Sequence, residues 1–232
     1  MSVTKILSVL LVMLGLPGFA FAASSGSSPA GFAAAEKMLD QLIKFPEAAA
    51  SSTMDRMLTC QGILKASGKM TQAGCFVKEF TDEPYVAAVN KAVKKARFRP
   101  AVYNGKKIGV YFQYRIRFTR KDDEQHITLY ANQAYPENLD AYGEDHIAAQ
   151  RGVMREKWQK YCPSQARFIA LARAHVAADG RQSSIKVTHG SGIPINNKCN
   201  KAIVETIEQS VFIPAYADGE AVPSSYLEAF GN

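Results

Sequence analysis

The sequence predicts an α+β fold built as two tandem small modules. Residues 84–118 combine a helical pattern with a strand pattern, and much of that stretch returns 114 residues later. Phe98-Arg99-Pro100-Ala101 recurs as Phe212-Ile213-Pro214-Ala215, Gly105 as Gly219, and Val89 and Val93 as Ile203 and Ile207. Upstream, residues 64–69 recur as 176–181, each a strand–turn–strand signal whose two-residue turn ends in Gly (Gly68, Gly180). Two copies are too few for a solenoid, which needs more units to close a core, so they read as two small domains.

Taken in order, residues 1–22 carry Lys5, an apolar run over 6–16, a Pro17-Gly18 break and Ala20-Phe21-Ala22, a small–x–small cleavage pattern. The run is short against the roughly 20 residues of a membrane span. It is expected to be a cleaved secretory signal, with an uncleaved anchor as the alternative. Residues 23–30, mostly Ser, Gly and Ala, read as a flexible tether.

The first module is expected over residues 31–118. Phe32, Ala35, Met38, Leu39, Leu42 and Ile43 have helical spacing, predicting an amphipathic helix over 32–45. A second helix begins at Pro84, with Val86, Val89, Ala92, Val93 and Ala96 on one face and Lys91, Lys94 and Lys95 on the other. Pro100 stops it, Asn104-Gly105 turns, and residues 108–118 are β-branched and aromatic as a strand should be. Residues 119–164 form a connector with a strand-like stretch over 126–131, a loop starting at Tyr135-Pro136 and a helix predicted over 145–161. The second module occupies 165–232.

Four cysteines in a secreted chain predict two disulfides. Cys60 and Cys75 lie symmetrically about the Ser67-Gly68 turn, so without a bulge they oppose each other within bonding reach. Cys162 and Cys199 are left for each other. There is no C-x-x-C, and the histidines lie far from the cysteines, so no metal is expected.

The net charge is +7, and it is uneven. Residues 60–120 hold thirteen Lys and Arg against three acids (Glu79, Asp82, Glu83), whereas residues 166–232 hold six against six. The basic face is centred on Lys91, Lys94, Lys95, Arg97 and Arg99. Secretion argues against nucleic acid, leaving a solvated surface or an anionic partner. His189-Gly190-Ser191-Gly192 lacks the spacing of a nucleophile elbow. The sequence nominates no catalytic residue, phosphate loop or cofactor, and an enzyme is not expected.

Ala88-Val89 and Ala92-Val93, followed by Arg97-Phe98-Arg99-Pro100-Ala101 and Asn104-Gly105-Lys106, resemble the carboxy-terminal domain of TonB energy transducers. Asp179-Gly180-Arg181 and Ser191-Gly192 resemble the family's D-G-[RK] turn and S-G loop. Phe45-Pro46-Glu47-Ala48 resembles its Y-P-x-x-A segment, and both Tyr135-Pro136 and Tyr161-Cys162-Pro163 remain open as the second such segment. The resemblance covers about residues 45–118 and 165–230. It implies a three-stranded antiparallel sheet backed by helices in each module, in a periplasmic protein that grips segments of outer-membrane transporters. The uncleaved anchor and Pro-rich spacer of that family are not expected here, which makes an accessory or competitor more fitting than a transducer.

In the family, an extended peptide adds to the final strand, a mode in which backbone hydrogen bonds supply affinity. Here that strand maps to Ile108, Gly109, Val110, Tyr111, Phe112, Gln113, Tyr114, Arg115, Ile116, Arg117 and Phe118, with affinity expected from the backbone of Gly109 to Arg117. Tyr111, Gln113, Arg115 and Arg117 share one face, opposite Phe112, Tyr114 and Ile116. Residues 126–131 could instead pair with this strand and close the edge. The matching strand of the second module, 222–230, has Pro223 near its start and is expected to bind poorly. The other partner class is an anionic polymer or another periplasmic protein held by the basic first module.

Overall fold

Along residues 58–64, 110–118 and 168–176 buried residues recur at every second position, so each stretch has one face in a core. The computed structural model describes residues 26–33, 37–47, 53–76, 79–164 and 167–231. The proposed signal, residues 1–22, lies outside them.

The first half runs through β1 (Gly31–Phe32), α1 (Leu39–Leu42), β2 (Thr53–Leu64), β3 (Met70–Cys75), α2 (Glu83–Val93), β4 (Phe98–Arg99), β5 (Ala101–Tyr103), β6 (Lys106–Ile108), β7 (Val110–Lys121) and β8 (Glu124–Tyr130). β2, β3, β7 and β8 form one antiparallel sheet in the order β3-β2-β7-β8. Its inner face presents Leu58, Leu64, Phe112, Tyr114, Ile116 and Phe118 to Tyr85, Val89, Ala92 and Val93 of α2, all in one core. Phe32 is packed edge-on against Phe112 and Tyr114.

The connector and second half run through α3 (Pro136–Tyr142), β9 (Gln150–Arg151), a 3-10 turn (Trp158–Lys160), β10 (Phe168–Val176), β11 (Gln182–Gly192), α4 (Asn197–Glu208), β12 (Phe212–Ile213), β13 (Ala215–Ala217), β14 (Glu220–Val222) and β15 (Ser224–Gly231). The second sheet has the order β11-β10-β15. Alternate β10 residues, from Phe168 to Val176, are buried against Ala202, Ile203 and Ile207 of α4. Asn196 caps α4 by accepting the Cys199 amide.

Particular contacts of the first half return in the second. Gly68 (φ 76°) lies against the Phe98 carbonyl, and Gly180 (φ 83°) lies against that of Phe212. Asn104-Gly105 and Asp218-Gly219 both turn through positive φ. Gln72 and Ser184, 112 residues apart, take φ of 51° and 53° in their hairpins. β1 pairs with β4 as β9 pairs with β12, and the Ser28–Val102 bridge has its counterpart in Ile147–Tyr216. By this alignment Phe32 corresponds to Arg151 and Tyr114 to Glu228.

Several expectations need correction. Residues 26–30 are no tether: Ser28 bridges Val102, Gly26 accepts from Gly105, and Ala30 is buried. The helix expected over 32–45 shrinks to Leu39–Leu42 among the described residues, because Phe32 pairs as a strand. The helix expected over 145–161 is replaced by β9 and a 3-10 turn, and helix forms at Pro136–Tyr142, where a loop was expected. The first sheet has four strands, since β8 joins it. Ser191-Gly192 ends β11 and is no separate loop.

Both disulfides, Cys60–Cys75 and Cys162–Cys199, are present. The first arises in a different register from the one expected. Lys65 pairs with Lys69, so the turn has three residues ending in left-handed Gly68, and Leu64 faces Met70. A bulge at Gln72 then shifts the register by one, and Cys60 meets Cys75.

Candidate binding edge and the junction between the sheets

The candidate strand residues do not share one open edge. Ile108 ends β6, opposite Ala101. β7 pairs along its whole length with β2, and Arg115 to Lys121 pair on the other side with β8. At its start, Val110 bridges Gly152 and the Gly109 carbonyl accepts from Val153. The possibility that residues 126–131 close this edge is the one realised. Phe112 and Tyr114 are buried in the first core.

The opposite face of β7, expected to read a ligand, engages the protein itself. The Tyr111 hydroxyl donates to Glu156 (2.8 Å), and Gln113 donates to the Leu227 carbonyl (3.2 Å). Arg115 is buried, donating to Asn132 (2.8 Å) and pairing with Glu144 while its guanidinium covers the Tyr130 ring. Arg117 holds Asp55 in a two-point contact that keeps the Asp55 carboxyl below its usual range. Of the basic residues, Lys91, Lys94, Lys95 and Arg99 are exposed and Arg97 is partly exposed, and none of them forms an ion pair among the described residues.

Between the two sheets lies a charged group that sequence reasoning missed. Arg151 is 0% exposed. Its Nε and Nη2 donate to the two oxygens of Glu228 (2.7 and 2.6 Å), Nη2 also to Glu156 (2.6 Å), and Nη1 to Ser210 (3.3 Å). The guanidinium lies 4.1 Å from the centre of the Tyr111 ring. Trp158 Nε1 donates to Glu156 and the Tyr226 hydroxyl to Glu228, each at 2.6 Å. Burial alone works against the Arg151 charge. Hydrogen bonds and charge from Glu228 and Glu156 more than offset it, raising the guanidinium pKa above its ordinary value. Burial, reinforced by Glu156, likewise pushes the Tyr111 phenol up. In the sequence, the 114-residue repeat sets Glu228 against Tyr114, a charge at an aromatic position; the match of Arg151 with Phe32 emerges only from the β1–β4 and β9–β12 pairings.

Of the two matching strands β7 and β15, only β15 is an outer strand, pairing with β10 alone; β3, β8 and β11 are the other outer strands of the two sheets. Asn138 donates to the Ser225 carbonyl (2.8 Å) and accepts from its amide (3.0 Å), so Ser225 directs its backbone groups away from β10. By the two-residue period, Leu227, Ala229 and Gly231 do the same. Gln113 and Gln133 both donate to the Leu227 carbonyl. Among the described residues, no strand or side-chain amide reaches the outward groups of Ala229. Residues 228–231 instead line a groove of about 620 Å³, with Ile63 and Tyr111 on the first sheet and Met154 and Trp158 on the connector.

No group of His, Cys, Asp and Glu among the described residues has a metal-binding arrangement, and no helix among them is long and apolar enough to cross a membrane. Comparison of the chain with protein-family models, with curated proteins and with solved structures gives no match. The two disulfides are compatible with an oxidising, extracytoplasmic compartment.

Proposed function

We propose that this is a periplasmic, non-catalytic binding protein of two tandem modules resembling TonB carboxy-terminal domains. It takes an extended peptide, such as a periplasmic segment of an outer-membrane transporter, by strand addition. The docking edge is assigned to β15 of the second module, in place of β7 of the first. One observation supports this reading above the others: β15, unlike its counterpart β7, has a single strand partner, and its outward residue Ala229 faces the groove. Backbone groups at such an edge provide hydrogen bonds for an added strand, while the groove walls provide side-chain contacts.

The test is in-cell photo-crosslinking from position 159, an exposed residue of the groove wall, and the variant is Ala229→Pro. The Ala229 N–H points away from β10, so proline removes a ligand-facing donor and leaves the β10–β15 ladder intact. Capture of a transporter segment, lost with Ala229→Pro at unchanged Tm, is the expected result. Capture that persists undiminished with proline, or that reaches no envelope protein, would overturn strand addition at β15.

A further inference from the structure

The corner where the β2–β3 turn meets the end of α2 holds a cleft of about 160 Å³ lined by Lys65, Lys69, Lys94 and Arg97 over Val93 and Ala96. The corner is locked. The Phe98 amide donates to the Gly68 carbonyl (3.0 Å), and a side chain at Gly68 would collide with the Phe98 carbonyl oxygen. The turn that carries Lys65 and Lys69 is therefore fixed against the segment that carries Lys94 and Arg97. No carboxylate lines the cleft, and none of the four cations forms an ion pair among the described residues.

Four like charges gathered on a locked corner oppose folding. Lys65 and Lys69 close the same hairpin turn, a placement in which like charges destabilise. A helix C-terminus favours a nearby cation, which accounts for Lys94 and leaves the two turn lysines unexplained. The fold does not require them. The same corner in the second half carries Ala177, Arg181, Glu208 and Val211, and there Arg181 is paired with Asp179. One copy of the corner is thus nearly neutral, while the other holds four cations around a cleft.

We infer that this cleft is a binding site for a phosphate group, carried either by a lipid headgroup or by a soluble phosphate ester. The planar guanidinium of Arg97 suits two-point contact with phosphate oxygens, and the ammonium groups supply compact charge around it. Its volume, about five times a water's share of the liquid, accommodates a hydrated phosphate group. This site is separate from the β15 edge and does not rest on strand addition.

The experiment is calorimetric titration of the full protein with inorganic pyrophosphate at low salt. Lys69→Gln and Arg97→Gln are the test variants, and Lys106→Gln/Lys107→Gln is a basic control outside the cleft. One-to-one binding, about tenfold weaker in each test variant and nearly unchanged in the control, is expected. Free Lys69→Gln protein should have a Tm equal to or above that of the parent, because a repulsion is removed. Equal affinity in parent and test variants, or equal loss in the control, would overturn the site. Co-sedimentation with vesicles bearing a phosphomonoester lipid, lost in Lys69→Gln, would assign the phosphate to lipid. Pyrophosphate binding without vesicle binding would assign it to a soluble ester.

Discussion

At the scale of the residue, the two halves solve one packing position in opposite ways. Phe32 and Tyr114 meet as rings at 6.0 Å in the first half, and the corresponding Arg151 and Glu228 meet as a buried ion pair in the second. Removing one member of a buried pair leaves a charge without its partner, at a cost of about 3–5 kcal/mol. Arg151→Phe is therefore expected to lower stability by that amount in urea unfolding. Adding Glu228→Tyr, which imports the first half's pair, should recover more than half of the loss, since apolar replacements of whole ion pairs are often neutral. Glu156 would keep its donors Tyr111 and Trp158. A double variant as unstable as the single one would refute this account. Arg151 was not legible as a core residue, because charge in a connector ordinarily reads as solvated surface. Only the match with Phe32, visible once β1 and β9 are placed, marks the position as internal.

At the scale of the element, hairpins and turns were legible and the short helices were not. Gly68 and Gly180 each end a turn legible in the sequence, and each is left-handed and pressed against a carbonyl 114 residues from the other's. Gly68→Ala and Gly180→Ala should each cost at least about 1–2 kcal/mol for the left-handed backbone alone, plus the collision. Gly74→Ala, with open space around it, should stay within about 0.5 kcal/mol of the parent. Denaturant midpoints for the three variants check this, and equal effects at all three positions would contradict it. The failed helix over 32–45 has a physical cause. Its apolar spacing is helical, but Phe32 lies within 6.0 Å of the rings of Phe98 and Tyr114, a tertiary gain that overrides local propensity. Pro136 suits a first helical turn, so α3 had a local signal, although a Tyr-Pro step also reads as the start of a loop. Cys60 and Cys75 were paired correctly although the turn was one residue longer than expected, because the bulge at Gln72 compensated.

At the scale of the molecule, the halves are fastened to each other. Ile213 of the second half is buried in the first core, and the Gln150 side chain donates to and accepts from the backbone of Ala30 (2.9 and 2.8 Å). Urea unfolding should then be a single transition. It can be followed in the second half by Trp158, the chain's one tryptophan, and in the whole chain by far-ultraviolet circular dichroism. Separated midpoints would mean that the halves unfold independently. The α+β class was legible from periodicity and from the internal repeat. Which final strand keeps an open edge was not, because that depends on where β8 and the connector fold back, and no local pattern in β7 records it.

The amides of Gln113, Gln133 and Asn138 occupy the first part of the β15 edge, at Ser225 and Leu227. They set a ruler along it. Among the described residues an incoming strand finds the Leu227 N–H and the groups of Ala229 and Gly231, at most five backbone groups. At about 0.5–1.5 kcal/mol each, these contribute only some 2.5–7.5 kcal/mol before the peptide's own ordering is charged against them. So short a splice cannot hold for long, and the dwell time of a captured segment will be set by what its side chains find in the groove.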